Sequence, residues 1–89
     1  MTPHEFLTSL MIYCSRTRAS VTSYGRTTAH NLAVHGVASS PHLAWLGADV
    51  VYDDPLPREH KKDYADRLGF LLIEEGDHDH LQPLDWKAG

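Results

Sequence analysis

The chain has one cysteine, Cys14, so it can form neither an intrachain disulfide nor a cysteine-built zinc site. Cys14 sits in an apolar stretch and reads as a core thiol. No apolar run is long enough to cross a bilayer, and no membrane partner is expected. Basic residues are also scarce, with 8 Lys and Arg against 12 Asp and Glu, a net charge of -4 and no basic stripe. Nucleic acid is therefore not expected as a partner. No H-E-x-x-H occurs, which excludes the helical zincin arrangement, and His30 and His35, five apart on a predicted helix, do not share a face well and read as structural. There is no internal repeat, low-complexity stretch or linker. The start, "MTPHEFLTSLMIYCSRTRAS", has Glu5 and His4 where a signal peptide carries Lys or Arg, so it reads as a folded helix made in the cytoplasm.

What the chain does have is 42% hydrophobic residues, evenly scattered charge and seven histidines in 89 positions. The first two features describe a globular protein, and the length suits one domain over residues 1–89. The histidines are the compositional oddity, and their spacing decides what they mean.

Helical and strand patterns alternate along the chain. Thr2, Pro3 and Glu5 form a helix start, and Phe6, Leu7, Leu10, Met11 and Cys14 recur at helical spacing as far as about Arg16. Residues 19–23 alternate like a strand and lead into the turn Tyr24-Gly25-Arg26. "TTAHNLAVHG" predicts a second helix, capped by Thr27 or Thr28 and stopped by Gly36. Residues 46–54 predict a buried strand ending in acidic turn residues. "PREHKKDYADRLG" predicts a helix started by Pro57, with Tyr64, Ala65 and Leu68 on one face. "FLLIEEG" and "HLQPL" predict two more strands. The expected fold is α+β, a small antiparallel sheet with two to three packed helices.

Asp49 lies in an apolar strand between Ala48 and Val50, where a carboxylate is costly unless something pairs with it. A cation would remove that cost. His42 stands seven residues earlier, and the segment "GDHDHLQP" carries His78 and His80. Residues two apart on a strand share a side, so His78 and His80 face one way while Asp77 and Asp79 face the other. His42, Asp49 and one or both of His78 and His80 can thus meet around one ion. Two histidines and one carboxylate, with a water in the fourth position, form a catalytic zinc pattern that non-haem iron sites share.

"SYGRTTAHNLAVHGVASSPHLAWLGADVVYD" followed by "LGFLLIEEGDHDHLQPLDW" resembles one zinc peptidase family. Its members are bacterial D-Ala-D-Ala carboxypeptidases, vancomycin-resistance peptidases and phage L-alanyl-D-glutamate endolysins, with the Hedgehog-like zinc peptidase fold. The matching pieces are Ser40-x-His42 with Asp49 seven residues on, the late His78-x-His80, and Arg26 sixteen residues before His42. The resemblance covers about residues 20 to 86. It implies zinc held by His42, Asp49 and His80, with Asp77 as the general base for the zinc-bound water. It further implies that His78 hydrogen-bonds the oxyanion or the substrate, and that Arg26 and Ser40 bind substrate, Arg26 through a carboxylate.

The resemblance implies hydrolysis of a peptide bond in peptidoglycan. An L-Ala-D-Glu endopeptidase of endolysin type is expected first, because an 89-residue chain without a leader suits a phage lysis or virion protein acting on the cell wall. The alternatives are a D-Ala-D-Ala carboxypeptidase and a non-catalytic phage structural protein that keeps the fold. A monomer is expected unless the chain belongs to a phage particle. One departure stands out: Trp45 replaces the glycine usual three residues after the first zinc histidine, while Gly47 keeps the small residue beyond it.

Overall fold

Thr2 and Glu5 start the first helix through a reciprocal pair of bonds. Thr2 Oγ1 accepts the Glu5 N–H at 3.1 Å, and Glu5 Oε1 accepts the Thr2 N–H at 2.9 Å. In a computed structural model that describes residues 1–25 and 45–85, this helix, α1, spans Pro3–Thr17 and ends at Arg18 in the left-handed conformation. The chain then enters strand β1, Ala19–Tyr24. The other elements are β2 (Ala48–Tyr52), α2 (Arg58–Arg67), β3 (Phe70–Glu74) and β4 (Asp79–Pro83). The expected helix at 27–36, with Arg26, Ser40 and His42, lies outside the described residues, as does Trp86.

The buried stripe of α1 differs from the expected one. Phe6, Leu10, Tyr13 and Thr17 face the core, whereas Leu7 and Met11 are exposed and Cys14 is only half-buried. The stripe follows 3.6-residue spacing once two polar residues are admitted to it. Both have partners: the Tyr13 hydroxyl lies 2.7 Å from that of Tyr52, and Thr17 Oγ1 donates to the Tyr13 carbonyl at 2.8 Å.

The four strands form one sheet in the order β1-β2-β4-β3, and every neighbouring pair is antiparallel. The α+β expectation is met. Both helices contribute to a core built on the sheet face that carries Ala48, Val50, Phe70 and Leu81. Phe70 makes edge contacts with Phe6 at 5.1 Å and Tyr13 at 6.3 Å. Burial of these side chains is the main stabilising term.

A charge is also buried on this face. Lys61 of α2 donates to Asp79 at 2.8 Å and to Glu74 at 2.9 Å, and its ammonium lies 5.1 Å from the centre of the Tyr52 ring. Lys61 and Asp79 are both almost fully buried, so each offsets the desolvation of the other.

Strand alternation sends Asp49, Val51, Leu71, Ile73, His80 and Gln82 to the opposite face. A bulge sits between Val21 and Ser23 of β1, facing this part of β2, and Thr22 Oγ1 donates to the Asp49 carbonyl at 3.2 Å. Bulges commonly re-aim side chains beside functional sites. No helix among the described residues is long and apolar enough to cross a membrane.

Candidate metal centre

Asp49 and His80 are direct partners across β2 and β4, and His80 Nδ1 lies 3.1 Å from Asp49 Oδ1. The pairing answers the cost of an aspartate in an apolar strand. Asp49 keeps about a seventh of its side-chain surface and His80 about a tenth, so the pair is largely withdrawn from water.

The other nitrogen of His80, Nε2, lies 2.9 Å from Gln82 Oε1. When Nε2–H donates to that carbonyl oxygen, the lone pair of Nδ1 faces the Asp49 carboxylate. In that tautomer Nδ1 is the nitrogen open to a metal ion, while in the opposite one Nδ1–H donates to Asp49 Oδ1. Metal-binding histidines have the first form, with the second ring N–H held by an oxygen that fixes the tautomer. Gln82 was not singled out from the sequence; the signal that finds it is its position two after His80, on the same side of the strand.

β3 and β4 turn into one another over Gly76 and Asp77. Gly76 takes φ +91°, and Glu75 N donates to the His78 carbonyl at 3.0 Å. This is the bend that bringing Asp77 back toward His80 requires, and it has a different result. Asp77 projects into solvent with 95% of its side-chain surface exposed, and it accepts from His78 Nδ1 at 2.8 Å. The His78 ring stands between Asp77 and the pair, with its Nε2 4.0 Å from both Asp49 Oδ2 and Glu75 Oε1. The hydrogen bond to Asp77 is the main cause that raises the His78 pKa above its ordinary value, against some desolvation. The same bond is the main cause that lowers the pKa of Asp77.

Of the residues singled out in the sequence, Asp49, His78 and His80 are therefore together and Asp77 is one ring removed. Arg26, Ser40 and His42 lie outside the described residues. Asp79 faces the other side of the sheet, on Lys61, as alternation requires. Glu75 is an addition: its Oε1 lies 3.9 Å from His80 Nδ1, and one donor atom each from Asp49, Glu75 and His80 fall within 4.8 Å of one another. Donor atoms around a four-coordinate zinc are about 3.3–3.6 Å apart, given metal–ligand distances near 2.0–2.2 Å. The described donors are of kinds that can hold a divalent ion, and their spacing of up to 4.8 Å is wider than a bound zinc would set.

Beside the hairpin lies an open cleft of about 510 Å³, lined by Tyr52, Asp54, Lys61, Glu74, His78 and Asp79 and by none of Asp49, Glu75 and His80. His78 belongs to both cleft and centre. Trp45 holds the turn after β1: its ring packs edge-on against Tyr24 at 5.6 Å, and its carbonyl accepts from the Tyr24 hydroxyl at 3.0 Å. A Cβ on Gly25 would collide with the Trp45 ring, so Gly25 and Trp45 fit as a unit.

Comparison with protein-family models, curated proteins and solved structures finds no match for the chain.

Proposed function

We propose that the chain is a zinc-dependent peptidase of bacterial peptidoglycan that cuts the L-Ala-D-Glu bond of stem peptides. The observation that carries the reading is the Asp49–His80 pair, two residues 31 positions apart held side by side with His78 adjacent. These are positions the family resemblance marks as ligands and helper, and His42 is the third ligand in this reading. A bound zinc supplies Lewis acidity and a water whose pKa falls to about 7.

The remaining roles belong to the chain's own side chains. Asp49 and His80 hold the ion, and Gln82 fixes the His80 ring through Nε2. His78 directs Nε2 toward the centre, where, with Nδ1–H on Asp77, it can take the proton of the attacking water and then, as Nε2–H, donate to the oxygen of a scissile carbonyl as negative charge develops on it. Asp77 holds Nδ1 of the same ring, so its service as proton acceptor runs through His78. Arg26 offers a planar fork of donors to the glutamate carboxylate, with Ser40 as a further substrate contact. The proposed place of action is the cell wall, after synthesis in the cytoplasm.

The test is release of new amino termini from purified peptidoglycan by the zinc-loaded protein, compared with Asp49→Ala and His80→Ala. Release by the wild type alone supports the reading. Equal release by all three would remove its basis.

A further inference from the structure

We infer that Glu75 is a third described donor to the ion at the Asp49–His80 pair, supplying a carboxylate from the β3–β4 hairpin. The inference rests on the metal part of the reading above and extends its ligand set; it does not depend on which bond is cut.

The hairpin fixes where Glu75 stands. Register pairs Ile73 with His80 and Glu74 with Asp79, so the next residue, Glu75, falls opposite His78 on the face that carries Asp49 and His80. The bond from Glu75 N to the His78 carbonyl holds that position, and the positive φ of Gly76 lets the chain reverse directly after it. Glu74 and Glu75 are thereby sorted by face. Glu74 goes to Lys61 on the helix side, and Glu75 goes to the histidines.

Distance then separates Glu75 from Asp77. Glu75 Oε1 is 3.9 Å from His80 Nδ1 and 4.0 Å from His78 Nε2, whereas Asp77 faces solvent behind the His78 ring. An ion between Asp49 and His80 needs only a small movement of Glu75 to gain a third donor. Glu75 keeps nearly half of its side-chain surface in water, so it can approach the ion and withdraw from it without disturbing the core. A catalytic zinc needs an open position. Glu75 bound in the resting state and released when substrate enters meets both demands, and it gives the described donors an oxygen-rich character that also suits manganese.

Zinc affinity of the full chain is measured by competition with a chromophoric chelator for the wild type, Glu75→Gln, Glu75→Ala and Asp77→Asn, with the visible spectrum of the cobalt-loaded forms as a second readout. Circular dichroism of the metal-free proteins checks that each variant folds. Both Glu75 variants are expected to bind zinc more weakly by roughly tenfold or more, the scale on which losses around such centres are felt, and to alter the cobalt spectrum. Asp77→Asn is expected to bind as the wild type does. Equal affinities and spectra for wild type and Glu75 variants would overturn the inference, as would no zinc uptake by the wild type. Peptidoglycan digestion in parallel separates the two ideas. A Glu75-dependent affinity without digestion leaves the donor standing and removes the peptidase, while digestion with a Glu75-independent affinity does the reverse.

Discussion

Asp49 and His80 face each other across adjacent antiparallel strands, with Oδ1 and Nδ1 3.1 Å apart. The sheet brings them together, so an ion bound between them is bound by the folded chain alone. Zinc should therefore stabilise the fold by mass action, by about 2.7 kcal/mol at a hundredfold excess over Kd. For a domain of this size each kcal/mol corresponds to roughly 4–8 °C in Tm. Calorimetry with zinc and with excess chelator should differ on this scale for the wild type and not for Asp49→Ala or His80→Ala. Superimposable wild-type curves would count against a tight site.

Gln82 sets the orientation of His80 through Nε2. Gln82→Leu keeps the approximate volume and removes the acceptor, so zinc affinity should fall by roughly 10–100-fold, the usual effect of losing such a partner. An unchanged affinity would assign Gln82 to the surface and not to the centre.

On the other face of the sheet, Lys61 and Asp79 make a buried ion pair at 2.8 Å. Removing one member strands the other, and Lys61→Met should cost about 3–5 kcal/mol in urea unfolding. Replacing both with apolar residues of similar size should recover much of that loss. If Lys61→Met were as stable as the wild type, the pair would not be the buried, desolvated contact described above.

The His78–Asp77 contact gives a pH dependence with a definite sign. In the metal-free protein the Asp77 hydrogen bond raises the His78 pKa above its ordinary value, helped by the charges of Asp49 and Glu75 and opposed by partial burial. A raised folded pKa means that the contribution to stability is complete below the unfolded value, about 6.5, and is lost as pH rises through the folded one. Asp77→Asn removes the leading cause and should lower the His78 midpoint in an NMR titration of the ring protons. A midpoint that stays in place would show that the contact does not persist in solution.

Local chemistry made much of the fold readable. The Thr2–Glu5 capping box, the helix ahead of Gly69 and the four strands each have a signature within a few residues. Asp49 was legible for a similar reason, since a carboxylate in an apolar strand demands a partner, and two-residue alternation separated His80 from Asp79. Long-range registration was not legible. Whether Glu74 or Glu75 meets the histidines depends on where the hairpin turns, and a shift of one residue exchanges their faces. Lys61 reads as a surface lysine until Asp79 and Glu74 are known to lie beneath it. Tyr13 and Thr17 do not read as core positions beside Leu7 and Met11, because their burial depends on what their hydroxyls meet, for Tyr13 a hydroxyl 39 residues away.

The most direct test of the proposed function is mass spectrometry of peptidoglycan fragments after digestion by the zinc-loaded chain. Stem peptides cut between L-Ala and D-Glu, absent when chelator is added, are the expected result. Release of free D-Ala would move the cut to the terminal bond and keep the peptidase. Intact stem peptides, from protein carrying stoichiometric zinc, would contradict it.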